Sequence, residues 1–208
     1  MHPSSIFHTD ADAARAIIVQ SPLATIAANG SDGPVVAVVP LVWGEDQSKL
    51  IGHVARTNAF WTALQDQTPT VTAVFRSDDA YVSASAYPSK AEHGKVVPTW
   101  NYIAAEARGV LTFSTDLNAI RDSVAALSDQ MEADRAKPWA VTDAPEIYID
   151  KLANAIVAFE ISVSDLKGVR KLSQNKSETD RAGVVSDLMK QDAGAERLAN
   201  EMNLETRA

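Results

Sequence analysis

No cysteine occurs anywhere in the 208 residues, which removes disulfides, thiol catalysis and thiolate metal sites together. Histidine is nearly as scarce. The four, at positions 2, 8, 53 and 93, stand too far apart for a local metal-binding spacing, so no metal site is expected and no residue is assigned a catalytic role. Nowhere do eighteen apolar residues run uninterrupted, and the start, MHPSSIFHTDADAARAIIVQ, lacks the basic and continuously apolar regions of an export signal. A cytoplasmic chain with no membrane partner is expected. An excess of positive charge is missing too: the formal charge is −8 and the pI near 4.9, a poor footprint for a protein that coats nucleic acid. G-x-G-x-x-G, Walker A and G-x-S-x-G are all absent, which removes the usual nicotinamide, NTPase and hydrolase signatures.

What is present is a patchwork of short strands and a few helices. Residues 10–20 carry Ala13, Ala14, Ile17 and Ile18 at helical spacing behind the cap candidate Asp10. Strand-like segments at 23–28 and 35–43 flank the turn-rich Asn29-Gly30-Ser31-Asp32-Gly33-Pro34, which predicts a hairpin, and 49–55 predicts a third strand. Alternation over 70–76 and 80–87 predicts two further strands parted by a turn at Ser77-Asp78-Asp79, and residues 88–97 a polar loop long enough for a lid. A strand over 103–113, helices over 116–135 and 145–155, and a hairpin of 156–164 with 166–172 turning at Lys167-Gly168 follow. Residues 177–191 and 193–202 read as polar helices. Hairpin spacing rather than strand-helix-strand alternation argues for an antiparallel barrel or sandwich.

Three stretches carry chemistry. In residues 49–64, KLIGHVARTNAFWTAL, a strand hands over to a helix, where unpaired N–H groups favour an anion. Arg56 would supply the fixed charge, and Thr57 or Asn58 the cap. The segment AYVSASAY aligns Ser83 and Ser85 between Tyr81 and Tyr87 on one strand face, and VPTWNY offers Trp100, Asn101 and Tyr102 to a planar ligand. Near the C-terminus Lys167, Arg170, Lys171 and Lys176 cluster with no acid between Leu166 and Ser177. From Asp165 onward eight Lys and Arg balance eight Asp and Glu, so the body before it carries the whole −8.

GHVARTNAFW at 52–61, VPTWNY at 97–102 and KLSQNKS at 171–177 together resemble one family, the FMN-binding negative transcriptional regulators of the PaiB type, relatives of the pyridoxamine-phosphate-oxidase-like split barrels. The resemblance implies a mainly β fold with peripheral helices: a six-stranded antiparallel FMN-binding split barrel over 1–175, with a helical C-terminal extension over 176–208. It implies a homodimer with FMN at the interface. Arg56, Thr57 and Asn58 would hold the phosphate beside His53, and Ser83, Ser85, Trp100 and Asn101 would border the flavin. Lys171 and Gln174 would close the site. As a regulator the protein would act on DNA or a DNA-bound partner; the alternative is a flavin-dependent oxidoreductase that takes electrons from reduced nicotinamide to a small acceptor.

Overall fold

The computed structural model of the chain describes residues 4–205. His2 and the outermost residues of the two expected domains, 1–3 and 206–208, lie outside the described residues. In chain order the strands are β1 (His8–Thr9), β2 (Leu23–Gly30), β3 (Gly33–Pro40), β4 (Val42–Trp43), β5 (Lys49–Ala55), β6 (Thr70–Val82), β7 (Thr99–Ser114) and β8 (Ile156–Lys171). The helices are α1 (Ala11–Gln20), α2 (Ala59–Leu64), α3 (Ser89–His93), α4 (Leu117–Glu132), α5 (Glu146–Ala153), α6 (Glu178–Leu188) and α7 (Ala193–Glu205). No helix among the described residues is long and apolar enough to cross a membrane.

The strand order is β3-β2-β6-β7-β8-β5-β4, with β1 paired to β8. β2 pairs antiparallel with β3 and β6, β5 with β4 and β8, and β1 with β8. Among the described residues six strands have at least 7 residues, the number expected, and the two-residue β1 and β4 bring the sheet to eight. The fold class is therefore the one anticipated: mainly antiparallel β with peripheral helices and a helical C-terminal tail.

The chain divides into two compact units. Unit one holds residues up to Ile17, Arg76–Ala105 and Lys167 onward; unit two holds Ile18–Phe75 and Glu106–Leu166. In unit two the hairpin register runs from Leu23↔Pro40 to Gly30↔Gly33, and Gly33 takes φ 122°, which glycine reaches without strain. Inward-facing residues of alternating strands, Ile26, Leu50, Phe75, Leu111 and Ile161, are fully buried. Phe113 packs edge-on against Phe60, Trp61 and Phe159. In unit one, Val82, Ile103, Val169 and Leu172 are buried, as are Val184, Leu188, Leu198 and Met202 of α6 and α7.

Four local expectations are corrected. Ser77-Asp78-Asp79 is no turn, because β6 runs through it: Asp78 is held by Arg197 at 2.6 Å and Asp79 by Arg76 at 3.3 Å, and no residue there has positive φ. The strand instead stops at Val82, where Ser83 Oγ accepts from Ser85 N at 3.2 Å and starts a 3-10 turn at Ala84–Ala86, so Ser83 and Ser85 do not lie on a strand face. β8 likewise continues through Lys167-Gly168. Gly168 serves close packing rather than a turn: a Cβ there would overlap Thr9 Oγ1 and reach Ala14 Cβ at 3.0 Å. The segment expected as a polar lid begins with α3, tied down by Ser89, whose N and Oγ donate to Asp180 at 3.1 and 2.8 Å.

Candidate functional site

The expected ligand residues fall into two groups, one in each unit. In unit two, β5 ends at Ala55 and α2 starts at Ala59. Asn58 is the cap; its Oδ1 accepts from Phe60 N at 2.8 Å. With six residues α2 supplies little dipole, so attraction for an anion rests on Arg56. That side chain is half-buried, its Nε donates to Asn154 O at 2.8 Å, and its backbone N donates to Ala155 O at 2.9 Å. Anchored at Nε and at the backbone, the guanidinium presents its terminal amino groups as a positioned fork, which suits a phosphate. Thr57 is exposed beside it. His53 turns to α4, where its Nδ1 lies 3.1 Å from Ser123 Oγ, and burial holds its pKa below the usual histidine range.

In unit one, Trp100 is 54 % exposed and meets Tyr81 edge-on, ring centroids 5.8 Å apart. That leaves indole surface open to a ligand. Asn101 is buried completely, its amide spent on Ser173 Oγ at 3.0 Å and Met202 Sδ at 3.6 Å, which makes it a core polar link rather than a ligand surface. Gln174 folds onto its own loop: Oε1 accepts from Leu172 N at 2.8 Å and Nε2 donates to Arg170 O at 2.5 Å. These bonds hold a turn in which Ser173 adopts φ 64°, a sparsely populated region for a non-glycine residue. Ser85 Oγ is 2.8 Å from Lys90 Nζ.

Lys171 points its ammonium at Thr99 Oγ1, 2.7 Å away, and at the Trp100 carbonyl. Its pKa is lowered, first by burial and then by the charge of Lys176. The basic cluster read from the sequence is thus not a free cationic stripe. Arg170 pairs with Glu201 at 2.5 Å, and Lys176 lies over the Tyr87 ring at 5.1 Å; of the four, only Lys167 is well exposed.

Two concave sites were missed in the sequence. One, of about 350 Å³ in unit one, is lined by Phe7, Tyr87, Val97, Lys171 and Lys176. The other, of about 620 Å³ in unit two, is lined by Pro34, Thr70, Thr72, Arg108 and Ser164, with Arg108 Nε donating to Thr72 Oγ1 at 3.3 Å. Arg108 pairs with Glu106 on its own strand at 3.6 Å, and its contact with Thr72 comes from a different strand, which the sequence does not show.

The fold recurs in solved structures. The flavocytochrome Anf3 from Azotobacter vinelandii aligns with a TM-score of 0.61 at 14% identity, over 88% of this chain and 78% of that one, which establishes a shared fold. Sequence comparison is more specific: residues 1–165 match the family described as "Putative FMN-binding domain", and the chain belongs to that family, whose cofactor is FMN. The chain is 38% identical over 116 residues to an uncharacterized protein of Emericella nidulans, across 51% of this chain but 46% of the relative, and so spans less than half of that protein's length. It is 25% identical to protease synthase and sporulation protein PAI 2 of Bacillus subtilis, across 88% of this chain and 86% of that one.

Proposed function

We propose that this chain is a homodimeric FMN-binding protein that acts as a negative transcriptional regulator of the PaiB type. The observation that carries the FMN assignment is the side chain of Arg56, anchored through its Nε next to the capped start of α2 in a chain of the FMN-binding family. Arg56 and Thr57 hold the phosphate. FMN supplies the redox chemistry of such a protein when it is bound; the chain supplies phosphate recognition. The regulatory role is supported by the similarity to the sporulation protein over most of both chains.

The dimer is supported by an apolar sheet face in unit two. Val38 and Val74 lie on either side of Thr25 in register, and with Leu23, Val36 and Val110 they stay exposed; exposed apolar side chains grouped on one face mark interaction surfaces. The deciding experiment pairs FMN and riboflavin titrations with a gel shift and an assay for FMN-dependent oxidation of reduced nicotinamide. The expected result is FMN preferred over riboflavin, weak DNA binding with a shallow salt dependence, and no turnover. Turnover without any DNA binding replaces the regulator by a flavin reductase.

A further inference from the structure

The carbonyls that hold Arg56 come from the exit of α5. Arg56 Nε donates to Asn154 O at 2.8 Å and its backbone N to Ala155 O at 2.9 Å, and Asn154 is the residue that caps the C-terminus of α5. The last carbonyls of a helix have no acceptor role within it and carry the negative end of its dipole, so a cation is favoured there. Asn154 keeps the helical conformation, φ −64° and ψ −17°, which sends its carbonyl out along the helix axis. Its side chain secures that conformation: Nδ2 and the backbone N both donate to Asp150 O, at 2.9 and 3.1 Å. The position of this last turn is set from α4. Arg121 donates to Asp150 Oδ1 and, at 3.2 Å, to Glu146 Oε1, while the neighbouring Ile120 packs with Ala153 in a buried cluster. Asp150 and Ala153 are three residues apart and share a helix face, so an ion pair and an apolar contact from successive α4 residues pin the end of α5 together.

We propose that Asp150, through its pair with Arg121, and Asn154 are positioning residues for the FMN phosphate: they fix the carbonyl that aims the Arg56 guanidinium, and with it the preference for a phosphorylated flavin. This rests on the reading that Arg56 takes the phosphate. A partly exposed ion pair such as this one contributes little to stability; what it fixes is a direction. A guanidinium fork recognises phosphate by geometry as well as charge, and a recognition group displaced by an ångström loses much of its effect. The sign of one substitution separates this role from simple electrostatics. Were Asp150 only a negative charge in the neighbourhood of a bound dianion, its removal would tighten FMN binding. Acting through α5 and Arg56, its removal loosens it.

The test is a fluorescence titration of the full chain with FMN and with riboflavin. Asp150→Ala, Arg121→Met and Asn154→Ala are each expected to raise the Kd for FMN about three- to tenfold and to leave riboflavin affinity level, with an unchanged circular dichroism spectrum because alanine and methionine keep the helices. Asp150→Asn, of the same shape but uncharged, is run beside Asp150→Ala and carries the same expected sign, so a folding defect in one variant does not decide the outcome. The double variant of Arg121→Met and Asp150→Ala is expected to lose no more than the weaker single one, since both break one link, and Arg121→Lys, which keeps the charge and a donor, to recover part of the preference. Arg56→Ala, measured in the same series, separates the two claims. If it abolishes the preference for FMN while the folded Asp150 variants bind FMN as tightly as wild type or tighter, the positioning role is overturned and the phosphate reading stands. Losses that are equal for FMN and riboflavin, or additive in the double variant, overturn the positioning role as well. An Arg56→Ala protein that still prefers FMN overturns the phosphate reading and the positioning role with it.

Discussion

Arg56 and His53 lie three residues apart in the chain and do different work. Arg56 offers charge-assisted hydrogen bonds to a phosphate, each contributing about 1.5–3 kcal/mol; Arg56→Ala is therefore expected to raise the Kd for FMN tenfold to a few hundredfold in a fluorescence titration, and to leave riboflavin affinity unchanged. Equal loss for both flavins would show that Arg56 does not read the phosphate. His53 is governed by burial, which depresses its pKa in the folded state. Between that value and the unfolded value near 6.5 the unfolded chain holds more protons, so stability rises with pH. The contribution is complete above about pH 6.5 and is lost as pH falls through the folded pKa. His53→Gln, which keeps a hydrogen-bonding group near Ser123, is expected to flatten the acid limb of urea-unfolding stability by up to about 1.4 kcal/mol per pH unit in that window. An unchanged limb would assign the acid sensitivity to other groups. The Asn58 cap was legible in the sequence because a strand-to-helix junction is local. Asn101 and Gln174 were not: the partners of Asn101 are Ser173 and Met202, far along the chain, and Gln174 closes a turn whose strained Ser173 leaves no compositional mark.

Elements were readable where the pattern itself decides. α1 behind Asp10, whose Oδ1 accepts from Ala13 N at 2.8 Å, β5 over Lys49–Ala55, and α4 behind Asp116 form as the alternation and caps prescribe. β6 and β8 were split in the reading because turn-forming residues sit inside them, and there tertiary packing outweighs local preference. Gly168 tests this. If it were a turn glycine, Gly168→Asn would be tolerated about as well as Gly168→Ala, since asparagine also accepts the left-handed region. At a close approach to Thr9 and Ala14 the larger residue must do worse. Gly168→Ala is expected to cost about 1–3 kcal/mol by overpacking, and Gly168→Asn more, as measured by denaturant midpoints at constant slope. Tolerance of Asn would restore the hairpin.

For the whole molecule, charge and apolar surface point the same way. The chain carries −8, and its basic cluster is largely engaged by Glu201, Thr99, the Trp100 carbonyl and the Tyr87 ring. Four basic residues per chain can make few phosphate contacts, so the logarithmic salt slope of DNA affinity from this cluster should stay shallow, at about −0.9 for each contact made, which favours regulation through a partner over direct readout. The apolar face, by contrast, has a definite expectation. Val36 and Val38 are 57 % and 64 % exposed on β3, an end strand of the sheet order, where prolines 34 and 40 limit strand addition at the edge. The face rather than the edge is then where a second copy is expected to sit. Light scattering at micromolar concentration should give twice the 22.3 kDa chain mass. A Val36→Glu, Val38→Glu double variant should give a single chain mass with an unchanged circular dichroism spectrum, because both side chains already face solvent within the chain. A wild-type monomer would remove the dimer. A variant that stays dimeric would move the interface off this face.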